Sequence, residues 1–225
     1  MNYKLKYLKY KSKYLQLKGR YYKFNLKESS YDFITELKKL YPSLKHDNSN
    51  LNDKYKAHNI TYDEMDYNGF DDVIDYLSKH SFDCFIDIGS GRGKICIYAG
   101  KIPSIKQSIG IELVKERHDD AKKLKTQLNH HPEVSKVKLI NDDIFNYDLK
   151  QLNSSKTLVW LSNLVFEQKT TNDIFTKILN ESNNDTIIVC SKPHTLNNKR
   201  IKKIGQVEVQ MSWDNNSLVH CYRIN

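Results

Sequence analysis

Residues 85–94 read FIDIGSGRGK: an apolar run, the acid Asp87, then Gly89, Gly91 and Gly93 at alternate positions. Such a stretch ends a buried strand and lets the backbone wrap closely around a ligand. A phosphate-binding P-loop needs G-x-x-x-x-G-K-[ST], but Gly93-Lys94 is followed by Ile95 and the first glycine would fall on Ile88. A dinucleotide fingerprint needs G-x-G-x-x-G, and the place of its third glycine holds Lys94. Neither reading fits, and a G-x-G-x-G turn behind an acid remains.

Working outward from this turn, apolar strands are expected at 83–88, 107–111, 136–140, 157–161 and 185–190. Helices fall between them near 94–101, 115–130 and 171–181. Strands alternating with helices predict a parallel sheet covered on both faces. The tail differs: 204–213 and 217–224 read as two strands joined through Asp214–Asn216 with no helix between. Ahead of the turn, helices are expected from Ser30 to Tyr41, stopping before Pro42, and from an Asn68 cap to Lys79. The predicted class is α/β: a Rossmann-like seven-stranded sheet closed by a C-terminal antiparallel hairpin, with a small helical N-terminal region. That is the architecture of class I methyltransferases. The expected divisions are an arm at 1–27, a helical subdomain with a cofactor lid loop at 28–81, and a catalytic domain at 82–225.

The strand ends select the cofactor. In a G-x-G-x-G turn the backbone can approach the methionine portion of S-adenosylmethionine (SAM), and Asp87 can orient its amino group. Glu112 ends the second strand 25 residues after Asp87, where a carboxylate can accept both ribose hydroxyls. Asp143 ends the third strand, placed to receive the adenine amine while Ile144 packs on the ring; Asp142 can exchange roles with it. Each acid taken singly also reads as a solvated strand-end charge. The series of three points to SAM, held by Phe85, Asp87, Gly89, Ser90, Gly91, Gly93, Lys94, Glu112, Asp143 and Ile144.

Composition limits the rest. A chain of 225 residues with 39% hydrophobic and 28% charged residues supports a real core under a well-solvated surface. No apolar run approaches the roughly 18 residues of a membrane span, and the N-terminus lacks the apolar core of a secretory signal. Cys84, Cys96, Cys190 and Cys221 are far apart without a C-x-x-C pair, so buried thiols are expected rather than disulfides or a metal centre. The expected setting is intracellular, without metal or membrane, and monomeric. The formal charge of +9 is uneven: residues 1–27 hold nine of the 36 basic residues and no acid, leaving 27 basic against 27 acidic residues in the remainder. An arm carrying the whole excess suits a polyanionic partner. On a helix, Tyr3, Tyr7, Tyr10, Tyr14 and Leu17 form one stripe with lysines around it, and Tyr21 lies beyond a stop at Gly19. The stripe can pack on the body or another chain, the lysines can track nucleic-acid phosphates, or the helix can lie on a membrane surface.

The fourth strand ends LVWLSNLVFEQ, without the N/D-P-P-Y/F of many nitrogen-methylating enzymes on this fold. From Ile60 to Asn225 the chain resembles the disruptor-of-telomeric-silencing family of non-SET histone lysine methyltransferases. The match runs through Tyr62-Asp63-Glu64-Met65 (family Y-G-E-T), FIDIGSGRGK (F-V-D-L-G-S-G-V-G-Q), Ser162-Asn163-Leu164-Val165-Phe166 (N-N-F-A-F), Cys190-Ser191-Lys192-Pro193 (S-S-K-P) and Ser212-Trp213. The departures are Asp63 for glycine, Met65 for threonine, Lys94 for a neutral amide, Ser162 for the first asparagine, and His220 where the family has a channel tyrosine. Lysine- and tyrosine-rich openings like this one also resemble those of giant DNA virus proteins.

The resemblance implies methylation of a histone lysine in nucleosomes, with H3 the typical target. It implies a lid from Tyr62, Asp63, Glu64 and Met65, with Asn163 positioning the amine and the reactive end of SAM. Phe166, Trp213 and His220, or Tyr222 in place of the last, would wall a lysine channel. Lys4, Lys6, Lys9, Lys11, Lys13, Lys18 and Arg20 would hold nucleosomal DNA, placing the protein in the nucleus or a viral replication compartment. Methylation of RNA or another protein, and a SAM-binding scaffold without turnover, are the rival readings.

Overall fold

The computed structural model describes residues 31–43, 54–55, 64–152, 156–212, 214 and 216–225. The expectations for the arm at 1–27 and for Tyr62, Asp63 and Trp213 lie outside the described residues. Helix α1 covers 31–40 and continues as a 3-10 turn at Tyr41–Ser43. The other helices are α2 (Tyr67–Tyr76), α3 (Lys94–Ala99), α4 (Lys115–Gln127) and α5 (Gln168–Glu181). The strands are β1 (Cys84–Ile88), β2 (Gln107–Glu112), β3 (Val137–Asn141), β4 (Thr157–Leu161), β5 (Ile187–Cys190), β6 (Ile201–Val209) and β7 (Ser217–Ile224).

The seven strands form one sheet in the order β3-β2-β1-β4-β5-β7-β6. β1 to β5 pair in parallel, and β7 joins β5 and β6 antiparallel. From β1 the chain steps outward through β2 to β3, then returns to lay β4 against the other side of β1. The crevice beyond the carboxyl ends of β1 and β4 is therefore the switch point where open α/β sheets bind ligands.

Strand alternation divides the core. Phe85, Leu158, Trp160, Val189 and Cys221 face one side, packed with Phe33 and Leu37 of α1, Phe70 and Val73 of α2, Ile97 of α3 and Leu124 of α4. Ile86, Ile88, Ile109, Ile111 and Ile188 face the other side with Ile174, Phe175 and Ile178 of α5. The helical N-terminal segment thus shares the first of these clusters with the sheet. All four cysteines are buried free thiols, and among the described residues no helix is long and apolar enough to cross a membrane.

Two boundaries differ from expectation for identifiable reasons. Asp66, not Asn68, caps α2: it is extended, and its carboxylate accepts the Tyr67 N–H at 2.6 Å. The Asn68 amide instead donates to the Gln210 side chain at 3.3 Å. β6 ends at Val209 because the chain then turns to pair with residues 64–66. Met211 bridges Met65, the Asp66 N–H donates to the Gln210 carbonyl at 3.0 Å, and the Ser212 N–H to the Glu64 carbonyl at 2.8 Å.

Candidate functional site

The loop after β1 is shaped by its glycines. Gly89, Gly91 and Gly93 have φ of 77°, 53° and 77°, in the left-handed region that other residues enter only at a cost. A side chain at Gly89 would project into open space, whereas one at Gly93 would press on Ala121 at 3.0 Å. Gly89 keeps the backbone exposed to a ligand, and Gly93 lets α3 start tight against α4.

Strand register fixes which acids share a face. Asp87 pairs with Gly110 on one side and Trp160 on the other. Glu112, two residues beyond Gly110, lies on the same face at the same sheet edge. Both carboxylates are buried. Burial, reinforced by the nearby Glu112 charge and opposed by the Cys96 backbone N–H, pushes the Asp87 carboxyl up to about 8. Burial also raises Glu112, against backbone N–H groups that stabilise its charge: Gly91 donates to Oε2 at 2.7 Å and Val114 to Oε1 at 2.8 Å. Glu112 therefore braces the glycine loop directly, and Asp87 is the acid whose charge the protein leaves least compensated. A ligand ammonium at Asp87 would supply that compensation.

At the end of β3 the two aspartates separate. Asp142 Oδ1 accepts the Asp143 N–H at 2.8 Å and the Asn146 amide at 3.0 Å, which shapes the turn. Asp143 uses Oδ1 to accept the Phe145 N–H at 3.0 Å. Ile144 is buried with Ile109 and Ile111 on the α5 side, while the neighbouring Phe145 is exposed.

Lys94 has a physical explanation that its sequence position alone does not give. Its ammonium lies 3.6 Å from Glu64 and 3.8 Å from Asp66, over the Tyr67 ring at 4.9 Å and the Tyr41 ring at 5.6 Å. Burial raises the Glu64 pKa and Lys94 opposes that shift. A positive charge next to the glycine loop is thus bound to the segment that crosses it. Arg92 extends the arrangement, with its guanidinium 5.0 Å from the Tyr41 ring and its Nε 3.8 Å from Asp120.

Just beyond β4, Asn163 is held by hydrogen bonds to two neighbouring segments. Its side chain is 0% exposed. Its amide nitrogen donates to the Lys192 carbonyl at 2.8 Å and the Thr171 hydroxyl at 3.2 Å, and its oxygen accepts the Lys192 N–H at 2.8 Å. It clasps the segment after β5 to the start of α5. Ser162, between the end of β4 and Asn163, is partly buried. β4 ends at Leu161, and the Asn163 N–H donates back to the Leu161 carbonyl at 3.0 Å, so the chain turns at Ser162. The Lys192 ammonium in turn donates to the Phe166 carbonyl at 2.8 Å.

The proposed channel residues separate as well. Phe166 is partly buried against the α5-side cluster. His220 is opposite Cys190, the last residue of β5, and its Nδ1 lies 2.9 Å from the Gln206 amide. Tyr222 lies deeper, opposite Ile188, buried with its ring 5.5 Å from Phe175 and 4.7 Å from His194. It packs as core and does not supply an open wall.

The model of the family "Histone methylation protein DOT1" matches residues 41–219, most of this chain. The chain belongs to the DOT1 histone methylation family. This DOT1-family chain is 29% identical over 160 residues to the Caenorhabditis elegans protein named histone-lysine N-methyltransferase, H3 lysine-79 specific. That alignment covers 68% of the chain but 17% of the relative. Among solved structures it is similar to an RNA methyltransferase from Salinibacter ruber in complex with S-adenosylhomocysteine. The identity is 16% and the TM-score 0.50, covering 68% of this chain and 88% of that one. It is also similar to magnesium protoporphyrin IX methyltransferase from Synechocystis PCC 6803, at 9% identity and TM-score 0.50, covering 69% and 77%. These likenesses establish the class I methyltransferase fold for the DOT1-family chain, and their differing acceptors show that the fold does not specify the acceptor.

Proposed function

We propose that this chain is a SAM-dependent protein-lysine methyltransferase acting on histone H3 within nucleosomes, in a chromatin setting. The observation that carries the reading is the buried Asp87–Glu112 pair at the switch point, wrapped by a left-handed glycine loop inside the span matching the DOT1 family. The donor set fits SAM. Asp87, under-compensated where it is buried, would take the cofactor's ammonium. Glu112 would take the ribose hydroxyls, Asp143 the adenine amine, and the loop at Gly89 the close backbone approach. Tyr62, Asp63, Glu64 and Met65 would cover it, with Lys94 tying the cover down.

Bound there, SAM supplies a methyl group activated on a sulfonium. The chain's task is to present a neutral lysine amine and exclude water. A free lysine has a pKa of roughly 10.4, and burial in an apolar channel lowers it, so no carboxylate base is needed. Phe166, Trp213 and His220 would wall that channel. Ser162, at the turn that ends β4, would accept a hydrogen bond from the incoming amine. Asn163 would act through Lys192 and the loop it holds, as a positioning residue.

Incubation with radiolabelled SAM and, separately, nucleosomes, free histones and RNA tests the reading. Label on an H3 core lysine in nucleosomes, located by mass spectrometry, is the expected result. Label on RNA alone, or SAM binding with no transfer to any of the three, would overturn it.

A further inference from the structure

Away from the cofactor crevice, Glu36 on α1 and the consecutive His130 and His131 between α4 and β3 bring three metal-type ligand atoms within 4.8 Å of one another. The Nε2 atoms of His130 and His131 lie 3.0 Å and 2.8 Å from the same oxygen, Oε2 of Glu36. Side chains of consecutive residues usually diverge. Here the turn after α4 brings the two rings together, centroids 4.2 Å apart, and aims both at one carboxylate. His131 is held in place: its side chain is 9% exposed and its ring meets Phe33 edge-on at 5.4 Å. His130 at 56% and Glu36 at 35% leave one side of the cluster open to water.

We propose that Glu36, His130 and His131 form a site for a divalent transition cation of the zinc type, with water completing its coordination. Two imidazole nitrogens and one carboxylate oxygen are the donors such an ion selects, and three protein ligands with an open fourth position is a common arrangement. Around zinc, ligands ~2.0–2.2 Å from the metal at tetrahedral angles stand about 3.3 Å apart. The N–O spacings of 2.8 and 3.0 Å therefore need to open only slightly, with the ion replacing the protons the rings now share with Glu36.

The site bridges α1 to the α4–β3 connection, so an ion there would clamp the N-terminal helix to the body. The clamp has reach. α1 runs directly into Tyr41, whose ring lies against Arg92 and Lys94 of the glycine loop. Zinc would thereby steady one wall of the cofactor crevice from a distance, as a structural ion rather than a participant in methyl transfer.

The test uses the untagged 225-residue chain, stripped with chelator and titrated with zinc chloride by calorimetry and with cobalt chloride by visible absorption. One saturable site per chain is expected, with a cobalt band typical of low coordination number. His130→Ala removes an exposed ring and Glu36→Gln a partly exposed charge of unchanged shape, so both variants should fold, as circular dichroism will show. Each should weaken zinc at least tenfold, and zinc should raise the Tm of the wild type more than that of either variant. Absence of saturable zinc binding in the wild type would overturn the site, as would wild-type affinity in either variant. Equal Tm shifts in all three proteins would overturn the clamp. None of these readings depends on methyl transfer.

Discussion

At the scale of the residue, Asp87 sets the electrostatics of the crevice. Its carboxyl is raised to about 8 because it is buried and faces Glu112. Between the ordinary aspartate range near 4 and that value, the folded protein holds a proton that the unfolded chain has released. Without added ligand its stability should therefore fall as pH rises through this window, by at most roughly 1.4 kcal/mol per pH unit from this group. Asp87→Asn should flatten the decline in Tm between about pH 5 and 8 and weaken SAM binding more than tenfold. A variant with an unchanged slope would place the cause elsewhere. Asp87, Glu112 and the glycines were legible from sequence because their places at strand ends follow from local pattern. The partners of Lys94 were not, because Glu64 and Asp66 reach it only through the folding of α2 against α3.

At the scale of the element, the carboxyl ends of β4 and β5 are joined by one side chain. Asn163→Ala would leave the Lys192 N–H and carbonyl without their partner, and each unsatisfied buried group costs about 1–3 kcal/mol. The expected outcome is a large fall in Tm. Ser162→Ala should leave Tm near the wild type, preserve SAM affinity and lower turnover several-fold. The opposite pattern, a stable Asn163→Ala with lost turnover, would return the amine-positioning role to the asparagine. Motif spacing put SNLVF directly after the fourth strand, and β4 ends at Leu161. What surrounds the two polar residues of that stretch was not legible, because the turn at Ser162 and the bonds of Asn163 to Lys192 form only in the folded chain. The hairpin was likewise legible, but its break at Val209 was not. That break reflects the pairing of 210–212 with 64–66, contacts between segments well over a hundred residues apart.

At the scale of the whole molecule, charge is divided between the arm and the body: residues 1–27 carry nine basic residues and no acid, while the remainder is formally neutral. Phosphate contacts of this kind position without reading sequence and weaken steeply with salt. Deleting 1–27 should weaken nucleosome binding and flatten its dependence on salt while sparing SAM affinity; unchanged binding and slope would make the arm structural. Composition, strand–helix alternation and the acids at three strand ends were enough to specify an α/β sheet with a hairpin and the class of cofactor. Those features follow from local periodicity and from where the chain must turn. The tertiary structure alone decided that Lys94 meets Glu64 and Asp66, that Asn163 joins Lys192 to Thr171, that Tyr222 is buried, and that Glu36 meets two histidines. Each depends on which faces of distant segments are pressed together, and packing against the sheet sets that.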